Sequence, residues 1–307
     1  MAHEPTDILP DQLAATPEFL DKWRIERIAG IPATPETLYH YTSGGALISI
    51  LKSMELRATN AVYMNDRTEV QHSVGILRDV IGVNHDRHRD VGIDMMLIAA
   101  EQLYSILQIY VVCFCRDGDL LSQWRGYAGT SGYALGFDSK VLKGLTGDHV
   151  LLTPVVYDPQ TQRRLISDLV GRWQEVFRRS DPGAFSRQIR ALGAFVFAQA
   201  LLFLAASFKN DAFHEEDEWR LLYRRQMVVD DGSGIKIDYV ERAGMVGSYA
   251  TLHLPPPTPQ TIPVRHFVIG PTSDPPLAAF SLQAFLRSIG YSEDLIQISS
   301  SVVPLRT

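Results

Sequence analysis

The residues best equipped for chemistry lie in Phe213-His214-Glu215-Glu216-Asp217-Glu218-Trp219-Arg220-Leu221-Leu222-Tyr223-Arg224-Arg225, where an acidic run passes without a break into an aromatic and aliphatic segment. The second part has the composition of a β-strand. Alternation counted from Glu216 sends Glu216, Glu218 and Arg220 to one face, and Trp219, Leu221 and Tyr223 into apolar packing on the other. At roughly 3.3 Å of rise per residue, the two glutamates stand about 7 Å apart along the strand. Like charges so placed repel unless a cation, a sugar hydroxyl or solvent faces them. The competing expectation is a solvated acidic loop leading into an ordinary strand.

Other segments offer ligand-holding groups. His40, in Leu38-Tyr39-His40-Tyr41-Thr42-Ser43, is either a histidine that satisfies its own hydrogen bonds or a donor to a polar ligand at a strand mouth. Trp124 and Tyr127 are close enough in sequence to flank one pocket. In Gly132-Tyr133-Ala134-Leu135-Gly136-Phe137-Asp138, alternation leaves Gly132, Ala134 and Gly136 on a nearly bare face. Such a face admits either a neighbouring element or a flat ligand at close range. No metal site is expected. His214-Glu215 is a poor match to HExxH because position 218 is Glu and the segment reads as strand. Cys113 and Cys115 alternate onto one face as buried thiols with no second pair to complete a zinc site. His85 and His88 fall in a charged loop.

The surrounding elements follow from periodicity and capping. Thr16 and Pro17 begin a helix at Glu18–Arg27, followed by a proline-marked linker. After the His40 strand, Ser43 or Thr42 caps a helix carrying Leu47, Ile50 and Leu51. A strand over Leu56–Asn60, a turn at Tyr63–Asp66, a helix with Val74 and Leu77, and a helix from Gly92 to Leu107 precede the Ile109–Cys115 strand. Residues 160–208 read as two long helices joined near Ser180–Gly183. Strands at His149–Tyr157, Ile235–Val240, Tyr249–Leu254, Val264–Gly270 and Ile296–Val303, with a helix over Leu277–Ile289, complete the order. Strands early and late with helices clustered between them indicate α+β rather than βαβ alternation. No glycine-rich phosphate loop is present in the sequence.

The chain has 307 residues, net charge −6, 46% hydrophobic and 21% charged residues. That balance is ordinary for a globular protein and gives no general attraction to nucleic acid or anionic membrane. No apolar run reaches the roughly 18 residues of a membrane span. The first ten residues lack the basic and apolar regions of a signal peptide. A cytoplasmic, unanchored protein is expected.

Four motifs in order, Leu38–Thr42, Ser122-Gln123-Trp124 with Tyr127-Ala128, Gly132–Phe137 and Glu216–Arg220, resemble the bacterial family called domain of unknown function 2971. The likeness runs from about residue 37 to the end, through Val268–Pro271 and Val303–Arg306. More distantly, the motif order is similar to that of the ADP-ribosyltransferase superfamily. Its members carry a polar anchor on the first strand, an aromatic or Ser/Thr motif on a middle strand and a catalytic glutamate on a late one.

That resemblance implies an ADP-ribosyltransferase-like split β-sheet core over 37–307, with 159–208 as an inserted helical pair or lid and 1–36 as an N-terminal extension. It implies NAD as a substrate, consumed by an ADP-ribosyltransferase acting on a macromolecular acceptor, protein or nucleic acid, in the manner of a toxin or phage-defence factor. Glu218 becomes the catalytic acid and Glu216 the residue that orients the acceptor. His40, with Tyr39 and Thr42 beside it, becomes the NAD anchor. Tyr127 or Tyr133 stacks on nicotinamide, Trp124 flanks the pocket, and Ser122 takes any hydroxyl role. Arg57 and Arg220 are the candidates to neutralise the pyrophosphate. The alternative is a non-catalytic NAD- or nucleotide-binding sensor or interaction module on the same fold.

Overall fold

The structure, a computed structural model, describes residues 33–63, 68–83, 108–128, 132–147, 149–179, 197–198, 200–225, 233–242, 244–258 and 262–304. The expected helices at 18–27 and 92–107, the His85/His88 loop and the 180–183 join lie outside the described residues. The chain divides into two compact units, each described by itself.

The first unit takes its described residues from Ala61–Ile109 and Val156–Asp211. After the second strand of the chain, a 3₁₀ turn at Ala61–Tyr63 precedes a helix at Thr68–Val83, and a long helix spans Pro159–Arg179. Val74 and Leu77 are buried, as their helical spacing predicts. His72 Nε2 donates to Gln162 Oε1 at 3.0 Å, and Gln162 Nε2 donates to the Val156 and Lys209 carbonyls at 2.7 and 2.9 Å. One buried amide thus closes both ends of the second segment.

The second unit, Pro32–Asn60, Tyr110–Val155 and Ala212–Thr307, holds the sheet. Strand β1 (Thr37–Ser43) ends where Ser43 accepts the Ala46 N–H and caps α1 (Gly44–Ser53). The helix buries Leu47, Ile50 and Leu51 and stops at Met54, which adopts a left-handed φ of 54°. Then follow β2 (Glu55–Asn60), β3 (Ile109–Cys115), β4 (Gly132–Asp138), α2 (Ser139–Gly144), β5 (Val150–Pro154), β6 (Glu218–Arg224), β7 (Ile237–Arg242), β8 (Met245–His253), β9 (Val264–Ile269), α3 (Pro275–Ser288) and β10 (Gln297–Ser300). The fold is α+β, with a large open mixed sheet ordered β10-β9-β4-β1-β3-β2-β8-β7, while β6 pairs with β3 and β5. Strands β9 and β10 pair in parallel.

Strand β3 carries three partners, more than two strand edges can hold along their full length, so the sheet forks there. β1 pairs with β3 at Tyr39–Cys115 alone, and β2 pairs with it at Thr59–Val111 and Asn60–Tyr110. By contrast β1 and β4 match over all seven residues, from Thr37–Asp138 to Ser43–Gly132.

The bare face of β4 is filled from within. A Cβ added at Gly136 would meet His266 Cβ at 2.9 Å, Thr37 Cγ2 at 2.9 Å and Tyr39 Cε1 at 3.0 Å, and one added at Gly118 would meet the Tyr39 ring at 2.6 Å. The Tyr39 ring therefore occupies the space beside these glycines. Gly118→Ala should destabilise the protein by about 1–3 kcal/mol through overpacking. Gly45→Ala, on α1 where nothing lies within 4 Å of the added carbon, should be neutral or stabilising. Urea unfolding of the two variants checks this, and equal midpoints would contradict the packing account.

Candidate functional site

Glu216 is not on the strand that alternation assigns it. Asp211–Glu216 forms a 3₁₀ turn and β6 begins at Glu218. Between them Asp217 has φ 38°, in the left-handed region, so the two glutamates do not share one strand face. Asp is among the few residues that enter this region at small cost. Backbone bonds hold the turn, Asp217 N–H to the His214 carbonyl at 3.2 Å and Arg116 N–H to the Asp217 carbonyl at 3.3 Å. Arg116 also reaches the Asp217 carboxylate at 3.3 Å. Residues 116 and 217 were not legible as a pair, since a separation of 101 residues leaves no local signal.

Beyond the turn, alternation holds. Trp219, Leu221 and Tyr223 are buried, and Glu218 and Arg220 share the opposite face. These two form a two-pronged ion pair, Arg220 Nε to Glu218 Oε1 at 2.8 Å and Nη2 to Oε2 at 3.2 Å. With side chains only 1% and 3% exposed, the pair is fully desolvated. The Arg116–Asp217 backbone bond and the stack of Tyr110 on Tyr223 at 5.8 Å fit a single antiparallel register of β6 on β3. That register sets Glu218 across from Cys115, two strands from Tyr39 and roughly 10 Å from it along the sheet.

His40 stands at the fork. Its Nδ1 lies 2.9 Å from the Cys113 carbonyl, which can only accept, so Nδ1 carries the proton and neutral His40 presents Nε2 as an acceptor. This bond replaces a ladder bond at the point where β1 has left β3. Part of the ring stays at the surface, yet surrounding protein lowers its pKa below 6.5 by desolvation, against the Cys113 bond, which favours the charged ring. His40, Thr42 and Tyr133 share one face of the β1–β4 pair, with Thr42 directly opposite Tyr133. Thr42 is buried and Tyr133 half-buried.

Tyr39 points to the other face. Its hydroxyl meets His266 Nδ1 at 2.7 Å, and His266 Nε2 meets Ser299 Oγ at 2.9 Å, a chain across β1, β9 and β10. Burial raises the Tyr39 pKa, helped by Asp117, and lowers that of His266. Trp124 is core. It lies edge-on to Tyr41 at 4.7 Å, 3% exposed, and its Nε1 donates to Asp119 Oδ1 at 2.7 Å. Asp119 also accepts from Ser301 Oγ and, at 2.8 Å, from Val302 N–H, tying the end of β10 to this loop. No sequence pattern singled out Asp119. Ser122, half-buried, and Tyr127, 46% exposed, sit on consecutive helical turns, Leu121–Gln123 and the π-helical Trp124–Ala128. Arg57 lies on β2, with its guanidinium 4.9 Å over the Tyr249 ring.

The structure thus leaves two separate groups beside the fork: Glu218 and Arg220 lie on the Tyr39 face of the sheet, and His40 with Thr42 and Tyr133 on the opposite one, where His40 packs against Phe114. Among the described residues, no group of three or more His, Cys, Asp or Glu could hold a metal ion. No helix among them is long and apolar enough to cross a membrane.

Two outcomes follow from the pair and the histidine. Arg220→Ala strands a buried carboxylate and should cost about 3–5 kcal/mol in chemical unfolding; a loss below about 1 kcal/mol would show the pair to be hydrated. A histidine whose folded pKa is depressed stabilises fully above its unfolded pKa of 6.5, and that stability is lost as pH falls through the folded value. Melting temperature should therefore drop from about pH 7 to about pH 5, with a shallower drop in His40→Gln. An identical slope in that variant would refute the assignment.

Residues 123–221 match the family model described as Protein of unknown function (DUF2971). The match supports the family resemblance read from the sequence, beginning inside Ser122-Gln123-Trp124 and ending just past Arg220. No curated protein and no solved structure matches the chain.

Proposed function

We propose, starting from the chain's similarity to the DUF2971 family, that the protein is an NAD-consuming ADP-ribosyltransferase acting on a macromolecular acceptor. The observation that carries this reading is the placement of a late-strand carboxylate, Glu218, and a first-strand imidazole, His40, on either side of the fork at β3. A forked sheet is what a split-sheet core requires, and the two residues occupy the first and late strands on which that superfamily carries its anchor and its acid.

Cleaving the nicotinamide–ribose bond develops positive charge over C1′ and the ring oxygen, as in glycoside hydrolysis. In this reading Glu218 accepts the ribose 2′-hydroxyl and stabilises that charge without reorganising, because Arg220 already fixes both of its oxygens. Arg220 then supports Glu218 rather than the pyrophosphate. His40 offers Nε2 to a ligand hydroxyl or amide. Of the aromatic candidates, Tyr133 shares the face of His40, whereas Trp124 is committed to the core. Glu216, 9% exposed in the turn before Asp217, would align the acceptor.

One observation favours a second reading, a nucleotide-binding module without turnover. A carboxylate buried and forked by arginine is also what a purely structural ion pair looks like.

Nicotinamide release from labelled NAD, with cell extract as the source of acceptor, separates the two. The transferase reading expects release by the wild type and a loss of at least about a hundredfold in Glu218→Gln. Should Glu218→Gln fail to fold, His40→Gln takes its place, with a loss expected in the same direction. Calorimetric binding of NAD without release supports the module. A wild type that neither binds nor cleaves NAD sinks both.

A further inference from the structure

A cleft of about 700 Å³ opens where β1 begins and β4 ends, and His40, Glu216, Glu218 and Arg220 are not among its lining residues. One wall carries a β-bulge. Gly136 pairs with His266 and Phe137 with Val264, so Arg265 is an extra residue in β9. Bulges re-aim side chains, and this one brings Arg265 Nη2 to 3.2 Å from Asp138 Oδ2. Asp138 Oδ1 is taken by the Lys140 N–H at 2.9 Å. With both oxygens engaged, Asp138 holds one side of the guanidinium fork and leaves its remaining donors to the cleft. Lys140 is exposed, and its ammonium meets no acceptor among the described residues.

The walls are fixed by backbone bonds: Asp138 N–H to the Pro263 carbonyl at 3.0 Å, Ser139 N–H to the Glu36 carbonyl at 2.9 Å, and Leu254 N–H to the Met54 carbonyl at 2.8 Å. Apolar lining comes from Val141 and Leu254, both largely buried. The cleft is lined about equally by ionisable and apolar residues, and its volume falls within the roughly 300–1,000 Å³ of small-molecule sites. Glu36 also lines it, which favours a head group of single negative charge over a multiply charged one.

We propose that this cleft binds a small organic monocarboxylate, with its head on Arg265 and Lys140 and its apolar body on Val141 and Leu254. The proposal stands apart from the transferase reading and is tested without it. Phenylpropionate is titrated into the full chain by ligand-observed NMR, with acetate and phenylphosphate as comparisons. Saturable binding of phenylpropionate is expected, at least about tenfold tighter than acetate, and weakened about tenfold in Arg265→Gln and in Lys140→Gln. Lys140 is exposed on the surface, so Lys140→Gln keeps the test valid if Arg265→Gln is poorly folded. Absence of saturable binding in the low-millimolar range overturns the proposal. So does acetate or phenylphosphate binding as tightly as phenylpropionate, or binding unchanged in Lys140→Gln.

Discussion

A strand has two edges, and β3 is asked to pair with three strands. The rest of the sheet unit is arranged around that excess. Strand β1 stays on β3 for one residue pair and then follows β4, which it matches along its whole length. Strand β2 meets β3 at the other end and follows β8. Each departure frees backbone groups that would otherwise be paired, and an unmade hydrogen bond inside a protein is costly. At Cys113 the carbonyl is satisfied by the ring of His40. The histidine is therefore a structural consequence of the fork, holding with one nitrogen a carbonyl that the departing strand leaves behind.

The same economy of space governs the far face. Tyr39 fills the hollows over Gly118 and Gly136, and its hydroxyl starts a polar chain through His266 to Ser299. Asp119 binds the indole of Trp124 and the chain just after β10. Aromatic residues that look like ligand platforms in a sequence are here the means by which β1, β9, β10 and the loop after β3 are locked together. Interiors packed to crystal-like density leave no room for a ligand where a ring already lies.

What could be read from the sequence was local. The strands at Ile109–Cys115 and Gly132–Asp138 have the bounds their alternation predicts, and Ser43 caps α1. Glu218 and Arg220 share a face because both lie inside one strand. Glu216 departs because a single backbone torsion at Asp217 breaks the alternation, and periodicity carries no information about one left-handed residue. The bare face of β4 was legible, but its occupant was not, since Tyr39 reaches it only through strand register. Asp119 with Val302, 183 residues apart, and the bulge that re-aims Arg265 are likewise products of register, which no window of sequence contains.

The Glu218–Arg220 pair is where structure and chemistry bear on each other most directly. Burying a carboxylate alone costs several kcal/mol, so Glu218 can sit at 3% exposure only because a guanidinium is buried with it. A bidentate fork uses one lone-pair direction on each oxygen, whereas an ionised carboxylate offers about four in all. Pairing with Arg220 therefore does not by itself exhaust the acceptor capacity of the carboxylate. It also fixes the carboxylate's orientation before any ligand arrives, which is the condition under which an electrostatic contact lowers a barrier rather than merely adding affinity. Lysine in place of Arg220 would keep the charge and lose the fork. If only neutralisation matters, that exchange changes little; if orientation is the point, it removes the preorganisation while the buried charge stays balanced.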